Sequence, residues 1–212
     1  MPRVAFRQVL GMIGLAAIVA TPGAWVVPVA AQDAPPVRVR GTIERVDGST
    51  LTVKARDGAE LKVVMADDAR IVALAKASLA DIKPGSFVGI TGMPQPDGSQ
   101  RAVEVHVFPE AMRGTGEGHR PWDLQPQSTM TNGNVDQTVL GVDGQTLTLG
   151  YKGGEKKIVV PPDTPVVTIA PGDRSDLKPG VKIFIVAAKK QPDGTLLAPR
   201  VNYGKDGLTP PM

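Results

Sequence analysis

Val46-Asp47-Gly48-Ser49-Thr50-Leu51-Thr52-Val53 returns later in the chain as Val142-Asp143-Gly144-Gln145-Thr146-Leu147-Thr148-Leu149. Two further blocks recur in the same order. Asp81-Ile82-Lys83-Pro84-Gly85 comes back as Asp176-Leu177-Lys178-Pro179-Gly180, and Gln95-Pro96-Asp97-Gly98 as Gln191-Pro192-Asp193-Gly194. Position 46 maps to 142, 81 to 176 and 95 to 191, shifts of 96, 95 and 96 residues, so only single-residue indels separate the copies across these blocks. Three ordered blocks at one spacing mark two copies of one small domain. The repeated residues form turns and strands. They are not acids, bases or ligands.

Around these blocks the first copy reads as β-structure. Val37, Val39, Gly41 and Ile43 alternate with Arg38, Arg40, Thr42 and Glu44, the period of a half-buried strand. Asp47-Gly48 and Asp57-Gly58 turn the chain. Leu51, Val53 and Ala55 give a second strand, and Leu61, Val63 and Met65 a third. The Ala- and Leu-rich stretch from Ile71 to Leu79 predicts a short helix or turn, stopped at Pro84-Gly85. Phe87 to Ile90 is a fourth strand. Val103, Val105 and Val107 form a fifth, with Glu104 and His106 on its polar side. The second copy repeats the strands at about 135–142, 146–151, 156–160, 183–187 and 198–203, with Pro165, Pro171 and Gly172 predicting a loop in place of the helical link. Three strands, a link and two strands is the order of an OB-like barrel. The fold class is therefore all-β: two tandem small five-stranded OB-like β-barrels. Each copy has about 70 residues, a size at which a lone core is marginal, so the lobes are expected to pack together across a seam.

The N-terminus reads as an export signal. Arg3 and Arg7 give a basic start, Val9 to Ala20 is a short apolar run, and Val29-Ala30-Ala31 supplies the small residues before a cleavage site. The run is shorter than the roughly 20 residues of a spanning helix. The division that follows is 1–31 signal peptide, 32–36 linker, 37–109 first barrel, 110–133 connecting loop, 134–205 second barrel and 206–212 tail. Export of a cysteine-free chain points to a bacterial periplasm or exterior. The formal charge of +3 falls to +1 without Arg3 and Arg7. Cations and anions are interspersed, which argues against a nucleic-acid surface.

The pattern Gly-x-Ile-x-x-Val-Asp-Gly-x-Thr-Leu-Thr-Val at Gly41 to Val53, with Asp81 to Gly85 and Pro96 to Gly98, resembles an exported bacterial family of small β-barrels, domain of unknown function 5666. The second copy fits from Asp143 onward and more loosely before it, where Val139 and Leu140 flank Gly141. The resemblance covers about two thirds of the chain. It implies a fold and an exported location, not a reaction.

Candidate chemistry concentrates in the segment that interrupts the repeat, Pro109 to Gly133. Long connectors are often functional. This one carries Arg113, His119, Arg120, Trp122 and Asp123, the weak ligand-binding candidates of the chain. Trp122 suits either a wall against a ligand or a clamp between lobes. No catalytic set, metal set or cofactor motif stands out. Glu104, His106, Met112 and His119 lack metal-ligand spacing. Asp47, Asp97, Asp143 and Asp193 are each explained by a hairpin turn rather than a calcium cage. The expected role is a non-catalytic binding or structural module of the envelope. Its partner would be an envelope protein or polymer, with no nucleic acid and no membrane span in the mature chain. The alternatives are a periplasmic accessory protein handling a metal or small ligand at 113–123, and an envelope oligosaccharide binder.

Overall fold

The computed structural model describes residues 35–142 and 144–211. The expected signal peptide and cleavage site, together with Asp143 and Met212, lie outside these. The described chain is built of twelve strands: β1 (Val37–Asp47), β2 (Thr50–Ala55), β3 (Glu60–Lys76), β4 (Phe87–Pro94), β5 (Gln100–Val107), β6 (Gly118–Pro121), β7 (Thr129–Gly141), β8 (Gly144–Tyr151), β9 (Gly154–Val160), β10 (Val166–Pro171), β11 (Lys182–Lys190) and β12 (Leu196–Gly204). Short 3₁₀ turns stand between them, and all-β is the class.

The pairing closes two five-stranded barrels, and neither is a single copy of the repeat. One ring runs β1–β2–β3–β12–β11 and back to β1. The other runs β7–β8–β9–β5–β4 and back to β7. Each ring thus takes three strands from one copy and two from the other. The expectation that 37–109 and 134–205 each close on themselves gives way to strand exchange within the chain. The cause lies in β3. After Met65 the sequence Ala66 to Lys76 holds neither Gly nor Pro, so nothing turns the chain back. The strand runs on, parallel to β12 through Arg70–Leu74 and antiparallel to β10 through Val72–Lys76. It delivers the chain to the far ring, where β4 and β5 belong. The helix expected over 71–79 is therefore strand as far as Lys76, with a 3₁₀ turn at Leu79–Asp81. The loop expected around Pro165 is β10, which occupies the place in copy two of the distal half of β3.

The antiparallel pairing of β3 with β10 brings matching positions of the two sequence copies together. Leu74 pairs with Ile169, its own counterpart at a shift of 95. The repeated Lys-Pro-Gly turns confirm the exchange. Gly85 N donates to Val135 O and Gly180 N to Ile43 O, both at 2.8 Å, so each turn binds the first strand of the other copy. These bonds also correct the alignment. Ile43 corresponds to Val135, and Gly41 to Gly133 rather than Gly141. A Cβ on Gly41 would sit 2.3 Å from Lys54 O, and one on Gly133 2.6 Å from Gly150 O, which is why both positions are glycine. The β7–β8 hairpin is consequently four residues longer than β1–β2. Its tip leaves Val139, Leu140 and Val142 60%, 84% and 100% exposed.

Each ring encloses an apolar core. Ile43, Leu51, Val53, Ile185 and Val201 fill one, and Ile90, Val105, Leu147, Leu149 and Ile158 the other. Leu74 and Phe184 form a third cluster, against which Trp122, Ile169 and Leu208 pack. The repeated Pro-Asp-Gly turns are self-sufficient. Asp97 Oδ1 accepts from Ser99 N at 3.0 Å, and Asp193 Oδ1 from Thr195 N at 2.9 Å. Among the described residues no helix is long and apolar enough to cross a membrane.

Tyr203, buried in β12, donates its hydroxyl proton to Asp176. Burial first, and then Asp176, push its pKa up to about 12 from an ordinary value of 10.0. The folded state holds this proton more tightly than the unfolded chain, so its contribution is complete below pH 10 and is lost as pH rises towards 12. Tyr203→Phe is expected to flatten the alkaline arm of a urea-stability profile measured from pH 9 to 12. It should leave the slope at neutral pH unchanged.

Candidate functional site

The segment between the copies is an ordered strap across both rings. Its strand β6 adds to β7, pairing Gly118 with Asn132 and Pro121 with Thr129. Asn132 Nδ2 donates to Thr115 O at 2.9 Å, and Lys152 N to Glu117 Oε1 at 2.9 Å. A turn closed by Trp122 N to Ser128 O at 2.8 Å ends the strap. These contacts fix it to the β4–β5–β7–β8–β9 ring. Trp122 and Asp123 fix it to the other ring. The Trp122 ring meets Phe184 edge-on at 6.4 Å, and the Arg38 guanidinium lies 4.2 Å over the Trp122 centroid. Arg40 Nη2 donates to Asp123 Oδ1 at 2.8 Å, and Arg38 Nη1 stands 3.4 Å from Oδ2.

Beneath the strap is a cavity of about 500 Å³. One ring supplies Phe184, Val186, Arg200 and Asn202, the other His106, Met130 and Asn132 with Phe108 just past β5, and the strap covers it with Met112, Arg120 and Trp122. Its walls are mostly apolar and aromatic, the usual make-up of a small-molecule site.

The five residues expected from sequence divide into two groups. Arg120 and Trp122 line the cavity. Arg113, His119 and Asp123 hold the strap in place. Arg113 pairs with Glu110 at 2.6 Å and donates to Gly85 O at 2.9 Å and to Asn134. His119 Nδ1 lies 2.8 Å from Thr131 Oγ1, and its ring stacks on Tyr151 at 6.3 Å. Burial first, then the charges of Lys156 and Arg120, hold His119 below the usual imidazole range. Arg120 Nη1 donates to Gly116 O at 2.7 Å.

Sequence reading missed the centre of the site. His106 was expected at the surface, yet it is 2% exposed and lines the cavity, and Glu104 beside it is 0% exposed. His106 Nδ1 lies 3.0 Å from Glu104 Oε2, and Thr91 donates its hydroxyl proton to Glu104 Oε1. The side of β5 expected to be wet is covered at the seam. The strand also slips register opposite Thr91–Gly92, leaving Val103 out of the ladder, so alternation from Val103 misassigns Ala102, which is buried. Three cavity-lining residues each carry a buried polar atom with no partner among the described residues: His106 Nε2, Asn132 Oδ1 and Trp122 Nε1. An unpaired buried polar atom costs about 1–3 kcal/mol. Among the described residues no three His, Asp or Glu side chains converge in the manner of a metal site.

The hydrogen bond from Arg40, with the charges of Arg40 and Arg38, holds the Asp123 carboxyl below its usual range. The tie therefore contributes fully above the ordinary carboxylate pKa and is lost as pH falls through the lowered value. Asp123→Asn is expected to speed amide exchange in β6 and in the 122–128 turn. The global unfolding free energy should fall by no more than about 1 kcal/mol, as for an exposed pair. Equal protection of β6 in the variant would contradict the clamp.

Residues 40–106 match the model of a family described as Domain of unknown function (DUF5666), which bears out the resemblance read from Gly41 to Gly98. The match spans most of β1 to β5, one copy of the repeat. No curated protein and no solved structure matches the chain.

Proposed function

We propose that the protein is an exported, non-catalytic binding module whose ligand is a small, largely apolar molecule held in the seam cavity beneath the 110–128 strap. The cavity carries this reading, because its apolar lining is combined with buried polar atoms at His106, Asn132 and Trp122 that lack partners among the described residues. Such atoms raise the energy of the empty protein, and a ligand with one or two hydrogen-bonding groups lowers it. The positions where the copies differ support the same reading. His106 answers to Asn202 and Glu104 to Arg200 at a shift of 96, and all but Glu104 of these line the cavity. The repeat thus conserves its turns between copies and diverges at the seam. Among the described lining residues there is no Ser, Cys or Lys to act as a nucleophile beside His106, which favours binding over catalysis. Export rests on Arg3 to Ala31 and the absence of cysteine.

The test is uptake of a neutral apolar fluorophore, N-phenyl-1-naphthylamine, by the purified protein. Saturable enhancement at about one probe per chain is expected, and Phe184→Arg, which places a bulky cation in the cavity wall, should abolish it. Enhancement that is absent, or that persists in the variant, would contradict the site.

A further inference from the structure

Resting on that reading, we infer that the cavity takes an amphipathic anion, with its carboxylate or phosphate head between Arg70 and Arg200 and its apolar body under Trp122. Among the described residues three arginines, Arg70, Arg120 and Arg200, line the cavity, and no Asp or Glu does. Arg70 and Arg200 are register partners on the parallel strands β3 and β12, at the point where that register slips after Ala198. Like charges opposed across strands are destabilising on their own. Among the described residues neither side chain makes an ion pair or hydrogen bond. Arg70 is exposed and Arg200 half-buried, as suits a rim. The barrel does not require this pair, because the corresponding positions of the other copy are Pro165 and Glu104. A guanidinium pair at the mouth of an apolar cavity matches a two- or three-oxygen anion carrying a hydrocarbon tail. Guanidinium binds carboxylate and phosphate through paired N–H donors, and each buried methylene adds about 0.8 kcal/mol.

The experiment is displacement of N-phenyl-1-naphthylamine from the full chain by decanoate, decyl phosphate, decanol and inorganic phosphate at one pH and ionic strength. Decanoate and decyl phosphate should displace the probe at concentrations about tenfold below decanol, a difference of about 1.4 kcal/mol. Inorganic phosphate alone should not displace it. In Arg70→Gln/Arg200→Gln the advantage over decanol should shrink to within about twofold. Unfolding of the variant in urea at the midpoint of the parent chain shows that it is folded, and each displacement is read against the variant's own affinity for the probe. Equal displacement by decanol and decanoate in the parent chain overturns the anion inference while leaving the small-ligand reading intact. Displacement by inorganic phosphate as effective as by decanoate overturns the requirement for a tail. No uptake of the neutral probe and no response to any of the four overturns both.

Discussion

The half-chain 35–108 is expected to give no folded monomer. Its β1, β2 and β3 lack β11 and β12, which close their ring, and its β4 and β5 lack β7, β8 and β9. Each fragment would expose open sheet edges and half a core, which is unfavourable at this size. The complementary half, 109–212, is expected to behave alike. Mixed, the two should recover the native circular-dichroism and amide spectra, since the exchanged interfaces bring together the partners that each lacks. The isologous β3–β10 contact centred on Leu74 and Ile169 also allows two copies of 35–108 to form a twofold dimer. Sedimentation separates these outcomes. A folded monomer of 35–108 at micromolar concentration would contradict the exchange.

The second large effect is expected at Glu104. Glu104→Ala leaves the His106 ring and the Thr91 hydroxyl buried without their carboxylate. Breaking such a buried cluster from one side costs about 3–5 kcal/mol, whereas replacing the whole set with apolar residues of similar volume is often neutral. The triple variant Thr91→Val/Glu104→Met/His106→Leu is therefore expected to regain most of the lost stability in urea titrations while binding the neutral probe more weakly. A triple variant as unstable as Glu104→Ala would make the cluster a structural requirement of the barrel. Recovery with unchanged probe binding would remove it from the site.

These effects mark where the sequence was legible. Turns and most strands could be read directly. Val39 and Ile43 fall on the inward face of one strand, and Asp97-Gly98 and Asp193-Gly194 turn the chain through their own side-chain chemistry. Strand partnership could not be read, because the same inward residues fill a ring whichever copy supplies them. The continuous run from Ala66 to Lys76 was the available sign, and its alanines and Leu74 favoured helix until pairing with β10 and β12 overrode local preference. The second glycine of the motif was misaligned because the four extra residues near Val139 shift the copies, although Gly133-Asn134-Val135 stands in plain likeness to Gly41-Thr42-Ile43. In the candidate site, Trp122 and Arg120 were found because the strap interrupts the repeat. Glu104, His106 and Arg200 were passed over because they lie on strands whose outer faces would be wet in an isolated barrel. Covering one barrel with the other buries those faces.

Trp122 allows the most direct measurement. The chain has two tryptophans, and in Trp25→Phe the indole N–H of Trp122 gives a single resolved proton–nitrogen signal. That N–H is buried at the cavity wall without a partner among the described residues. If the seam cavity is the binding site, titration with decanoate shifts this signal saturably, together with the amides of His106, Asn132 and Asn202, and leaves the distant Asp57-Gly58 turn unmoved. A stationary indole signal, or shifts confined to the outer surfaces of the barrels, would contradict the account.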